Sequence, residues 1–177
     1  MDSSQRLLKH FLAAIAYRTQ KALRGAPESF AGFHAGNNTR TPHELLWHMT
    51  GVLGYLRTYF LAGTYRPDKL PSFSDEVRRF HNVLEDLARL LDEPPRAREI
   101  SPEQMLQGPL ADVMTHAGQL ALLRRLARSP VPPENFIHAA IDAGNLGPDQ
   151  PQPVAPDPGW SPDLPPPAPG KGLPEDW

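Results

Sequence analysis

Apolar residues recur every three or four positions in four stretches of the chain, which is the repeat of an amphipathic helix. The first stretch runs roughly from Ser4 to Leu23 on Leu7/Leu8, Phe11/Leu12, Ile15 and Leu23, and ends near Gly25 and Pro27. The second has the clearest start: Thr41 as N-cap, Pro42 at the first helical position, and Glu44 three residues after the cap to complete a capping box. From there Leu45, His48/Met49, Val52, Leu56 and Tyr59/Phe60 form one stripe, with His48 inside it. A third helix is expected over about Ser74 to Leu91. It turns Val77, Phe80, Leu84, Leu87 and Leu91 inward and Glu76, Arg78, Arg79 and Glu85 outward, and Asp92 with Pro94-Pro95 stops it.

The fourth begins either at the Ser101-Pro102-Glu103-Gln104 box or, after a break at Gly108-Pro109, at Pro109 itself. The reading taken is a short turn followed by a main helix from Pro109 to about Arg128, which places Asp112 in the first turn, where the helix dipole favours negative charge. No alternating run of β-branched residues and no Asn-Gly or Asp-Gly hairpin occurs, so the fold class expected is all-α, a four-helix bundle. The connection from Leu23 to Thr41 is long for a bundle loop, and loops of that length are often functional.

Composition divides the chain. Of its 177 residues, residues 1–143 are expected to form the bundle and 144–177 an irregular tail, because eleven of the 22 prolines lie from Gly144 onward. Trp160 and Trp177 are the large apolar groups there that could hold the tail to the bundle. A net charge of -2 with scattered Lys and Arg argues against a nucleic-acid surface. The first residues show neither a signal-peptide pattern nor a membrane span, so a cytoplasmic location with no membrane partner is expected. Cysteine is absent, which excludes disulfides, thiolate ligands and a cysteine nucleophile.

Three residues carry the candidate chemistry. Asp112 and His116 lie four apart, so a helix presents both on one face, and His48 lies on the apolar stripe of another helix. An inward, ionised Asp112 asks for a compensating cation, and two imidazoles with a carboxylate make a divalent-metal site. The plainer account is that both histidines are ordinary core residues bonded to neighbours and that Asp112 caps a first turn. Gln119, one turn past His116, either lines the pocket or faces outward; Glu44 is explained by the capping box; His81 could reach the core from beside Phe80. His43, His10, His34 and His138 read as solvent-facing or loop residues, Trp47 as packing, and Arg124/Arg125/Arg128 as a solvated helix end.

The segments Arg40 to Met49 and Gly108 to Leu120, above all His116-Ala117-Gly118-Gln119, resemble the DinB/YfiT-like superfamily of metal-dependent four-helix bundles, over about residues 5–147. The resemblance implies a homodimer and a three-residue divalent-metal site, commonly three histidines with nickel or zinc. Here the implied ligands are His48 and His116, with Asp112 where the family usually has a histidine. This leaves two readings: a His-Asp-His site similar to those of related thiol-dependent isomerases, or a site weakened by the shorter side chain. The first is favoured, since a carboxylate suits zinc, manganese or iron. The resemblance further implies a metal-dependent enzyme, either a transferase or isomerase using a low-molecular-weight thiol co-substrate or a hydrolase, acting on an unidentified small molecule. The reading from a different class is a non-catalytic binding or stress-response module whose contact surface is the Pro-rich tail.

Overall fold

The computed structural model describes residues 2–163. Four helical rods form the bundle: α1 (Ser3–Leu23), α2 (Pro42–Leu61), α3 (Phe73–Leu90), and a fourth made of α4 (Pro102–Met105), a π-helical turn (Leu106–Leu110) and α5 (Ala111–Leu126) in unbroken succession. Each start is set by a short polar side chain. Asp2, Thr41, Ser72 and Ser101 each accept a backbone N–H of the first turn, and Gln5, Glu44 and Gln104 close capping boxes at three of them. α1 packs on α5 and α3, and α2 packs on α3 and α5, so the rods close a ring around one core. Leu12, Ile15, Leu46, Met49, Leu53, Phe80, Leu84, Leu87, Val113 and Leu120 fill that core. Among the described residues there is no strand, and no helix is long and apolar enough to cross a membrane.

The break expected at Gly108-Pro109 does not occur. Proline lacks the N–H and its ring collides with the carbonyl four residues back, which normally ends a helix. Here the turn widens instead, and the Ala111 N–H reaches the Leu106 carbonyl five residues back. Asp112 therefore stands well inside a continuous helical rod that begins after Ser101, too far from its positive end for the dipole to favour the charge as expected.

Two polar side chains expected at the surface are in fact buried, and a third is half-buried. Glu76, expected outward, is 0% exposed, because the α2–α3 connection folds over the start of α3. Its carboxylate accepts the Leu70 N–H at 3.1 Å and a bidentate pair from the Arg79 guanidinium, Nη2 to Oε2 at 2.6 Å and Nε to Oε1 at 3.0 Å. Arg124, read as part of a solvated helix end, is 3% exposed; it donates to the carbonyls of Ala22 and Arg24 at 3.0 Å and of Ser129 at 2.7 Å. It thereby satisfies the end of α1, whose last carbonyls have no helical partner. His43 is half-buried with its ring edge-on to Phe73, and burial pushes its pKa down, reinforced by Lys69. His10, His34 and His138 are exposed.

Beyond Leu126 the described chain is irregular and doubles back on itself, with Asn135 N–H to the Ala155 carbonyl at 3.0 Å and Asp157 N–H to the Pro133 carbonyl at 3.1 Å. What holds it to the bundle differs from expectation. Trp177 lies outside the described residues and Trp160 is only half-buried; Leu146 enters the core, and its carbonyl meets His81 Nδ1 at 2.7 Å. Arg24 grips the Gln150 and Pro151 carbonyls at 2.6 and 2.9 Å.

His81 is 1% exposed, and burial pushes its pKa below the ordinary value of 6.5. Its Nδ1 is committed to the Leu146 carbonyl and its Nε2 is buried without a partner, so the folded chain resists a second ring proton that the unfolded chain accepts freely. The group costs nothing above its unfolded pKa, and folding free energy falls as pH drops below about 6.5, at up to ~1.4 kcal/mol per pH unit until the folded pKa is reached. Thermal denaturation of metal-free protein at pH 7.5 and 5.5 is expected to show this loss, and His81→Gln to reduce it. An unchanged slope in that variant would assign the loss to other groups.

Candidate metal centre

His48 and His116 come from facing helices, α2 and α5, and their rings meet edge to face with centroids 4.9 Å apart. Asp112, one turn before His116, reaches towards both: Oδ1 is 3.3 Å from His116 Nε2 and Oδ2 is 4.0 Å from His48 Nε2. One ligand atom from each of the three lies within 4.8 Å of the others. Two ligands of a tetrahedral zinc ion at about 2.0–2.1 Å stand ~3.3 Å apart, so the Asp112–His116 spacing already matches, whereas His48 has to draw in.

Burial differs from the sequence expectation. His116 is the enclosed member at 10% side-chain exposure, His48 sits on the flank of its stripe at 33%, and Asp112 is 47% exposed. An aspartate that open is hydrated and needs no cation for its own sake, so the desolvation argument does not carry the site. His116 carries it. Its Nδ1 lies 2.7 Å from Gln119 Oε1, an acceptor, so Nδ1 holds the proton and Nε2 presents its lone pair towards Asp112 and His48. That Nε2 is buried and has no hydrogen-bond partner among the described residues. The donor set fits a divalent ion of borderline softness bound by nitrogen and oxygen.

His48 is held below its ordinary pKa by burial first, then by the charge of Arg40 and by the repulsion that two protonated rings, its own and His116, would feel, with Asp112 opposing. An imidazole kept neutral is an imidazole ready to ligate. Beside the trio opens a cavity of about 780 Å³ lined by His48, Gly51, Tyr55, Gln107, Pro109 and Asp112. Gly51 lies one turn after His48 in α2, and a Cβ there would meet no atom within 4 Å. The π turn supplies the far wall, in keeping with the tendency of such turns to sit at functional sites.

Gln119, Glu44 and His81 fare differently. Gln119 touches His116. Glu44 is spent on the Thr41 cap at 2.9 and 3.0 Å and borders a separate surface pocket with His34, Arg40 and Trp47, while His81 holds the tail through Leu146. Trp47 is partly exposed and donates its indole N–H to the Pro67 carbonyl at 2.9 Å. Gly51 and Tyr55, one and two turns past His48, were accessible to helical spacing; Gln107 and Pro109 were hidden by reading Gly108-Pro109 as a break. Searches with the chain find no matching family model, no matching curated protein and no matching solved structure.

Proposed function

We propose that the chain is a DinB-like protein that binds a divalent metal ion, zinc, nickel, manganese or iron, through His48 Nε2, His116 Nε2 and an Asp112 oxygen. The observation that supports this most is the buried, partnerless lone pair of His116 Nε2, aimed at two other ligand atoms and oriented from behind by Gln119. When bound, such an ion with an open coordination position lowers the pKa of a water or thiol and makes it a nucleophile at neutral pH. The open side of the trio is that of Asp112, which faces the cavity. Gly51 leaves room there for the body of a co-substrate, and Tyr55 borders it with a hydroxyl 2.8 Å from Tyr59. A metal-dependent transferase, isomerase or hydrolase is the reading that fits, and the absence of cysteine makes a thiol, where one is used, an external one.

A homodimer is part of the same proposal; Leu122 and Leu126, exposed four residues apart on α5, are apolar surface for it, and light scattering reads it directly. The alternative of a tail-based binding module is less favoured, because the tail through Pro151 spends Leu146 and the Gln150 and Pro151 carbonyls on the bundle itself.

The metal is tested by elemental analysis of untagged protein and its alanine variants at the three ligands. The cavity is tested separately. In cobalt-loaded protein, adding 2-mercaptoethanol is expected to change the visible absorption, and Gly51→Leu to weaken that change while leaving metal content intact. Gly51→Leu indistinguishable from wild type would remove the cavity from the proposal.

A further inference from the structure

A second cavity lies between α1 and α5, under the irregular segment that follows α5, and shares no lining residue with the one beside His48. It measures about 240 Å³, more than the roughly 150 Å³ cavity that accommodates a benzene ring. Its walls are mostly apolar, and three cations reach it: Arg18 and Lys21 from α1 and Arg125 from α5. We propose that this cavity is a ligand site for a small monocarboxylate with an aromatic or apolar body.

Unspent donors are the first argument. Neither Arg18 nor Arg125 has a hydrogen-bond acceptor or ion-pair partner among the described residues, and Lys21 commits one N–H to the Pro132 carbonyl. Arg18 is also preoriented. Its guanidinium carbon stands 3.9 Å from the centroid of the Phe136 ring, so one face is stacked and the in-plane N–H fork remains for a carboxylate.

Space is the second argument. Gly118 stands in the interior of α5, where glycine costs about 1 kcal/mol relative to alanine, and a Cβ there would meet nothing within 4 Å. Gly118 is exposed, so the missing side chain leaves the mouth of the cavity open.

Charge selects among anions. Glu134, in the same wall, is buried; its Oε1 accepts the Tyr17 hydroxyl at 2.7 Å and its Oε2 is sealed without a partner. A fixed carboxylate close by repels a phosphate dianion more than a carboxylate monoanion, and a neutral ligand gains less from the arginines than a charged one.

The test is a titration of metal-free full-length protein with benzoate, followed by amide chemical shifts, with phenyl phosphate and benzamide as parallel arms. Saturable shifts centred on Gly118, Ala121 and Val131 are expected, with affinity of about millimolar order for so small a probe. Arg18→Gln is expected to weaken binding by about tenfold or more through one lost charge-assisted contact. Gly118→Leu should abolish it by filling the space. Arg125→Gln, at an exposed position, gives a weakening that unfolding cannot explain. No saturable shifts, shifts centred elsewhere, benzamide binding as well as benzoate, or phenyl phosphate binding more tightly would each overturn the proposal.

Discussion

His116→Ala is expected to lose stoichiometric divalent metal, and with it the thermal stabilisation that the metal gives. A ligand present at about a thousand times its Kd stabilises the folded state by ~4 kcal/mol. For a domain of this size each kcal/mol moves Tm by about 2–4 °C, so zinc is expected to raise the wild-type Tm by roughly 10 °C and leave His116→Ala unmoved. The comparison is made within each variant, with and without EDTA, because deleting a buried ring also changes the stability of the metal-free chain. His48→Ala separates two accounts of the cluster. Were His116 and Asp112 only an ion pair within one helix, 3.3 Å apart, removing His48 from the facing helix would change nothing that depends on metal. If the three share an ion, His48→Ala loses the zinc-dependent shift as His116→Ala does. Gln119→Ala is expected to cost about 10–100-fold in affinity while keeping the ligands, since it removes only the acceptor that fixes the His116 tautomer. Zinc stabilising all of these variants equally would discard the site.

Arg124→Ala is expected to destabilise the protein by about 3 kcal/mol, a Tm loss of roughly 6–12 °C, whereas Arg125→Ala one residue on is expected to stay within ~0.5 kcal/mol. The two arginines are adjacent on the same helix and identical in chemistry. Arg124 is 3% exposed and donates to Ala22, Arg24 and Ser129 carbonyls, with further contacts to the Gly25 carbonyl and the Ser129 hydroxyl. Its removal orphans several acceptors at once at the end of α1 and leaves a void beneath Phe30. Arg125 makes no such contact among the described residues. Arg124→Lys is expected to recover only part of the loss, because one ammonium cannot span carbonyls that a planar fork reaches together. Equal melting curves for the Arg124→Ala and Arg125→Ala variants would refute this account of the α1 terminus.

Local chemistry made much of the architecture readable from the chain alone. Thr41-Pro42 with Glu44 states a helix start in three residues, because the cap, the fixed proline φ and the return hydrogen bond are all short-range. The apolar repeats of α1 and α3 placed both helices within about a residue of where they lie, since burying one face against a core is what the repeat encodes. The meeting of His48, Asp112 and His116 was inferred from helix faces and from resemblance, and the folded chain brings their ligand atoms within reach of one another.

Contacts between segments distant in sequence decided the rest. Periodicity says which way a side chain leaves its helix but not what will fold over it, so it could not foresee the α2–α3 connection burying Glu76, or the end of α1 claiming Arg124 and not Arg125. Nor could it foresee that Pro109 would widen a helix that α1 and α2 hold continuous from both sides, or that Leu146 and not a tryptophan would tie the tail down. The exposure of Asp112 belongs to the same class. Its helix face was legible from a four-residue spacing, but its depth depended on how closely α2 and α5 approach, which is set by packing across the whole core.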